Sequence, residues 1–332
     1  MSDNRSRRIR LVGGGIIVAE LAVQQTGFAF TSTLPALAAA LVVTLVGSFA
    51  LASYVGKRHG LGIREFDAPM WKLVARLAFS NTLIGIAYIF AVQKLGLGPV
   101  AAIGALGVLS VGLTDVWHSI SADQPSPVKA WGWRQLGLRG LALLGVLVLT
   151  EPWLGEIDLV GLAWAVAAAW CFWNYIKVVF GGLAALEAAQ NETNGEDSAL
   201  VKQGLAVANL LSVPSMALVV LPFGGWGELF SDFVPTIGWG AVAGLLILFV
   251  PALLQAAAAG KVSDRVTGVL YCLDTPLAAL VGMVGVLLGL LDETQWLGPW
   301  GWVGIGLVVI AALFNTLVSP EPPSIEEYST QN

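Results

Sequence analysis

Residues 237–257, IGWGAVAGLLILFVPALLQAA, run for twenty-one positions without one ionisable side chain. At about 1.5 Å per residue, a helix of about 20 residues crosses the hydrocarbon layer of a bilayer. Nine further stretches share this apolar character: 11–30, 35–55, 73–92, 97–116, 138–150, 159–180, 204–221, 266–291 and 300–318. The chain of 332 residues is 56% hydrophobic and only 12% charged. Its mean hydropathy is +0.77, whereas a soluble domain carries about 25% charge. These values predict an all-α membrane protein with ten transmembrane helices.

Threading ten spans alternately puts sixteen of the seventeen Lys and Arg residues on the side of the N-terminus, with Lys94 alone opposite. The positive-inside rule makes that side cytoplasmic, and an even number of spans returns the C-terminus to it. The predicted organisation is a cytoplasmic N-terminus at 1–10, a first five-helix repeat at 11–153, a second at 154–318 and a disordered cytoplasmic tail at 319–332. Five is odd, so two related halves enter the membrane in opposite orientations, the parity of inverted-repeat transporters with a site near the midplane. Residues 117–137, rich in Trp and Pro, read as an interfacial connector, and the polar stretch 181–200 as a flexible linker.

Several classes of function find no support in the residues. The net charge is −5, and no basic nucleic-acid-binding patch is legible. Cys171 and Cys272 sit singly inside apolar spans, where packing is the plain reading. His59 and His118 fall at helix ends without a partner at ligand spacing, so no metal or cofactor is predicted. No phosphate loop or nucleophile elbow is present, and the chain reads as a non-enzyme. The glycine patterns Gly285-x-x-x-Gly289, Gly104-x-x-Gly107 and Gly301-x-x-Gly304-x-Gly306 suit close helix contacts, either within the bundle or across a homodimer face.

Polar groups at central depth carry the functional reading. Glu20 lies near the middle of the first span and Asp274 near the middle of the ninth. A carboxylate in hydrocarbon costs several kcal/mol by most scales and normally faces a cavity or a partner. No Lys or Arg is predicted at the same depth. Such a group either exchanges protons with the movement of a substrate or stays ionised and holds an ammonium. Gln24 lies one turn beyond Glu20, and Tyr271 one turn before Asp274. Asn81, Tyr88, Asn174, Tyr175 and Gln255 recur at similar depth, with Pro251 and Pro276 bending helices beside them. Substrate binding and interhelical glue are both open for the amides. The leading reading is a secondary transporter of small molecules with Glu20 and Asp274 as coupling or ammonium-binding groups. A lipid carrier, a membrane enzyme acting on a lipid, and a scaffold are the alternatives.

Three stretches carry a resemblance: Ile157-Asp158-Leu159-Val160-Gly161 with Ala168-Ala169-Trp170-Cys171-Phe172-Trp173-Asn174-Tyr175-Ile176; Val23-Gln24-Gln25-Thr26-Gly27; and the run from Thr267 through Asp274, Thr275 and Pro276 to Asp292 and Glu293. The chain resembles the drug/metabolite transporter superfamily, ten-helix EamA type, and within it the threonine/homoserine exporters. Asp274 stands at that family's acidic position in span nine, whereas Gly104 stands where an acid is usual in span four. Gln255 replaces a Glu of some relatives, and Glu20 is additional. The resemblance implies a proton-driven exporter of amino acids or related metabolites in the plasma (inner) membrane.

Overall fold

The computed structural model describes residues 2–31, 34–95, 103–105, 107, 109–111, 113–121, 126–150, 158–194, 199–231, 233–288 and 298–317. Within them the chain is helical throughout, apart from short turns and one isolated bridge between Ala259 and Val262. The first three helices are α1 (Ser2–Thr31), α2 (Ala36–His59) and α3 (Ala68–Leu95); α4 (Leu113–Ile120) is short and precedes α5 (Ser126–Thr150). A π-helical stretch, Lys177–Leu183, joins α6 (Leu159–Ile176) to α7 (Ala184–Asn194). Then come α8 (Leu200–Val220), α9 (Trp226–Ser231), α10 (Phe233–Gly244), α11 (Val250–Ala258), α12 (Asp264–Leu270), α13 (Asp274–Leu287) and α14 (Pro299–Leu317).

Among the described residues six segments are long and apolar enough to cross a membrane: Leu37–His59, Ser126–Leu149, Leu159–Asn191, Leu200–Gly224, Phe233–Ala258 and Val266–Leu287. Phe49, Phe79, Leu218, Val234 and Trp300 project from the bundle with half or more of their surface exposed. Water would penalise that surface and lipid covers it without cost. The protein is an all-α membrane protein. Nine of the twenty residues of the predicted fourth span, the tail at 319–332 and Gly289 lie outside the described residues.

Caps and breaks follow from single residues. Asp158 accepts hydrogen bonds from Val160 N and Gly161 N, at 2.8 and 3.0 Å, and starts α6. Glu228 of α9 reaches across to α2, where its Oε2 accepts from Leu37 N at 2.9 Å and Ala38 N at 3.1 Å. Lys57, Arg58 and His59 end α2, where cations suit the helix dipole. Pro251 has no N–H to donate, and the turn before it, Leu245–Phe249, widens into a π-helix. Ahead of Pro276 the ladder tightens into the 3₁₀ turn Tyr271–Leu273. The ninth predicted span therefore runs through a 3₁₀ turn between α12 and α13, with Asp274 as the first residue of α13.

Two expected loops are helical instead. The predicted connector at 117–137 contains the end of α4 and the first half of α5. Pro127 falls in the first turn of α5, where its missing N–H is no loss, so it does not break the helix. In consequence Arg139 lies in mid-helix and is 4% exposed, a cation inside the bundle where none was predicted. The predicted linker at 181–200 is helical to Asn194, since Ala184, Ala185, Leu186 and Glu187 are good helix formers. Glu187 Oε2 then accepts from Val201 N at 3.3 Å at the start of α8.

The helices pack in a definite pattern: α3 against α6 and α8, α2 against α8 and α10, α1 against α10, α11 and α13, and α5 against α14. Glycine permits two of these contacts. A Cβ on Gly47 of α2 would stand 2.6 Å from Gly244 O, and one on Gly304 of α14 would stand 2.7 Å from Gly145 O of α5. Of the glycines singled out in the sequence, Gly107 (against Ala169 of α6) and Gly304 make such contacts, whereas Gly104 and Gly306 face open space.

Candidate functional site

With a π-helical turn before Pro251 and a 3₁₀ turn before Pro276, Gln255 and Tyr271 meet the same face of α1, where Glu20 is completely buried. Gln255 is the hub. Its Nε2 donates to Glu20 Oε1 at 3.0 Å and to the Tyr271 hydroxyl at 3.1 Å. The Tyr175 hydroxyl of α6 donates to Gln255 Oε1. Four side chains from α1, α6, α11 and the 3₁₀ turn thus form one buried network. Glu20 Oε2 is buried and accepts no hydrogen bond, although the Tyr271 hydroxyl lies beside the carboxylate.

Asp274 forms the second part. Gln25 Nε2 donates to Asp274 Oδ1 at 2.5 Å. The two carboxylates lie within electrostatic reach of each other. Tyr88 of α3 faces Asp274 closely enough to feel its charge. Both hydrogen bonds that these acids accept come from carboxamides, which carry no charge. An ionised carboxylate buried this way needs a compensating cation.

Of the predicted site residues, Glu20, Tyr175, Gln255 and Tyr271 come together, with Asp274 and Tyr88 adjoining them. Gln24 is half-buried and its neighbour Gln25 reaches the acid instead. Five residues advance a helix by about 140°, so Gln25 turns towards α13 while Glu20 faces α11. The i,i+4 rule selects Gln24 and has no means of anticipating that α1 is gripped from two sides.

Asn81 and Asn174 lie in a separate layer. Asn81 Nδ2 donates to Asn209 Oδ1 of α8 at 3.0 Å, while Asn209 O accepts from Ser48 and Ser212. Asn174 Nδ2 donates to Ser80 Oγ at 2.6 Å, and Arg76 donates to Asn174 Oδ1 at 2.5 Å. These bonds tie α3 to α6 and α8, as interhelical glue does. Asn209 and Ser80 drew no notice in the sequence, since an isolated amide or hydroxyl in an apolar run carries no mark of its partner. Among the described residues no three His, Cys, Asp or Glu side chains converge as a metal site requires.

No family model matches the chain, and no curated protein is similar to it. Twenty-three solved chains match it in three dimensions. One, described as "Crystal structure of protein", is 13% identical, has a TM-score of 0.58, and the match covers 94% of this chain and 98% of that one. The likeness is one of fold and extends over nearly the full length of both chains.

Proposed function

We propose that this protein is a secondary active transporter that exports amino acids or related small metabolites across the plasma membrane in exchange for protons. The observation that carries the reading is the junction of Glu20, Gln255, Tyr271 and Tyr175, with Asp274 beside it. Glu20 is fully buried and Asp274 partly so, each held by a neutral carboxamide, and the compensating charge of this reading is a proton or the ammonium of the cargo. A carrier needs this interchange: the two species compete for one site, so movement of one drives the other.

Ten spans in two inverted five-helix repeats, with both termini cytoplasmic, are the architecture of this proposal. The packing pattern supports it. If α1 corresponds to α6, α2 to α8, α3 to α10 and α11, and α5 to α14, then exchanging the halves turns the contact of α3 with α6 into that of α10 and α11 with α1. The same exchange maps α2 with α8, and α5 with α14, onto themselves. Repeats related in this way bring their site to the boundary between halves, where α1, α6, α11 and α13 meet. The polar, kinked helices at that boundary also fit the resemblance to threonine/homoserine exporters.

Proteoliposomes loaded with labelled threonine, homoserine, branched and aromatic amino acids test the reading, with and without an imposed pH gradient. Gradient-stimulated efflux of one of them is the expected result. Efflux of none from folded protein overturns it and points to a lipid or another metabolite as cargo.

A further inference from the structure

Where α2 ends in Lys57, Arg58 and His59, a polar recess opens that shares no residue with the Glu20 junction. Its volume is about 270 Å³, and His59, Gly62, Glu65, Phe66, Leu200 and Gln203 line it. Pockets for drug-sized ligands run to about 300–1,000 Å³, so this one suits a smaller molecule. The turn after α2 gives the recess its shape. Gly62 has a φ of +62°, and a Cβ there would stand 3.0 Å from Gln203 Nε2. Gln203 of α8 packs on that glycine and donates through Nε2 to His59 O at 3.4 Å and to Gly60 O at 3.2 Å. Its two N–H groups are spent on the backbone, which leaves Oε1 as an acceptor. Glu65 N donates to Gly62 O at 2.8 Å, closing the turn with the Glu65 side chain at the recess.

Among the described residues the Glu65 carboxylate accepts no hydrogen bond and joins no ion pair, and neither the His59 ring nor the Lys202 ammonium has a hydrogen-bond partner. Lys202, beside Gln203 on α8, brings its charge to bear on His59. Arg58 does so too, but it is already held by the Tyr54 hydroxyl at 3.0 Å. The recess therefore joins an acid and a neutral acceptor to a cation on its His59 side. A simple amine that pairs with Glu65 is repelled by Lys202, and a simple anion that pairs with Lys202 is repelled by Glu65. A molecule carrying both charges is attracted by both. We propose that this recess binds a small zwitterion, with its ammonium on Glu65 and Gln203 Oε1 and its anionic group towards Lys202. Two sources share that chemistry: a free amino acid, and the ethanolamine phosphate headgroup of a lipid. Binding here does not depend on the export reading.

The chain has two histidines, His59 and His118. His59 lines the recess and His118 is exposed on α4, so nuclear magnetic resonance of ring-labelled histidine reads the site with an internal control. Glycine, threonine and glycerophosphoethanolamine are titrated into the full chain in detergent at fixed pH and ionic strength. A saturable shift of the His59 signal, with His118 unmoved, is expected from at least one of them and not from ethanolamine or acetate at the same concentration. Glu65→Gln and Lys202→Gln should each weaken binding about threefold or more, as loss of an exposed ion pair does. Glu20→Gln should leave the shift intact, so failure of the recess and failure of the export reading are told apart. A shift from the amino acids alone assigns a free amino acid, one from glycerophosphoethanolamine alone assigns the lipid headgroup, and one from both assigns a site that reads only the paired charges. No shift from any zwitterion, an equal shift from ethanolamine or acetate, unchanged affinity in either charge variant, or loss of the shift in Glu20→Gln overturns the proposal.

Discussion

Gln255 Nε2 lies 3.0 Å from Glu20 Oε1 across the interface of α11 and α1. The same nitrogen serves Tyr271, and the other end of the amide accepts from Tyr175. One carboxamide therefore holds the acid, both tyrosines and the three helical segments that carry them. Bending either α11 or the α12–α13 break would move the hub relative to Glu20.

Replacing Glu20 with Gln keeps the shape of the side chain and removes its titration. Gradient-driven efflux should fall to the level of protein-free vesicles, with thermal stability unchanged or raised because a buried acid is gone. Retained gradient stimulation in E20Q would exclude Glu20 as the coupling group.

Asp274→Asn should abolish net transport in folded protein. Gln25→Leu, which deprives Asp274 of its donor, should weaken transport without eliminating it. Initial efflux rates of both variants, compared at matched protein, check the order; unchanged transport in D274N removes Asp274 from the mechanism.

Gln255→Leu leaves Glu20 and two tyrosine hydroxyls without their shared partner. Unsatisfied buried groups cost about 1–3 kcal/mol each, so the variant should unfold at a markedly lower temperature than E20Q. A thermal scan of the two variants side by side measures the difference.

Asn81→Ala removes one bond of the layer between α3 and α8. Interhelical hydrogen bonds in membranes average about 0.6 kcal/mol, so a small drop in stability with transport intact is expected. Loss of transport at unchanged stability would move Asn81 from the glue to the binding site.

Gly145→Val and Gly304→Val should each separate α5 from α14, because every added Cβ lands within 3 Å of a backbone atom of the other helix. Overpacking of this kind costs about 1–3 kcal/mol, and the yield of monodisperse protein should fall. At Gly306, which faces open space, the same substitution should be silent.

Membrane class was legible because hydrocarbon imposes one strong condition on every residue of a span: the side chain must be apolar or have a reason not to be. By the same condition Glu20, Gln255 and Asp274 stood out singly. Arg139 escaped because residues 117–137, rich in Trp and Pro, read as an interfacial connector, which sets the arginine at a helix end instead of its middle. The tight contacts of Gly47 and Gly145 were equally hidden, since a glycine shows in a sequence but the backbone it admits does not.

An all-helical membrane chain, and the polar residues that membrane burial makes costly, can be read residue by residue along the sequence. It carried that information because each residue's preference for lipid or water is a local property. That Gln25 and not Gln24 bonds Asp274, that Asn81 and Asn174 brace α3, and that Gln255 serves Glu20 and two tyrosines at once emerge from helix packing alone. Those pairings depend on how far each helix is rotated about its axis and where π and 3₁₀ turns break the ladder. A rotation of about 100° per residue turns a difference of one position into a different neighbour, and that rotation is set by the packing of every helix against the others.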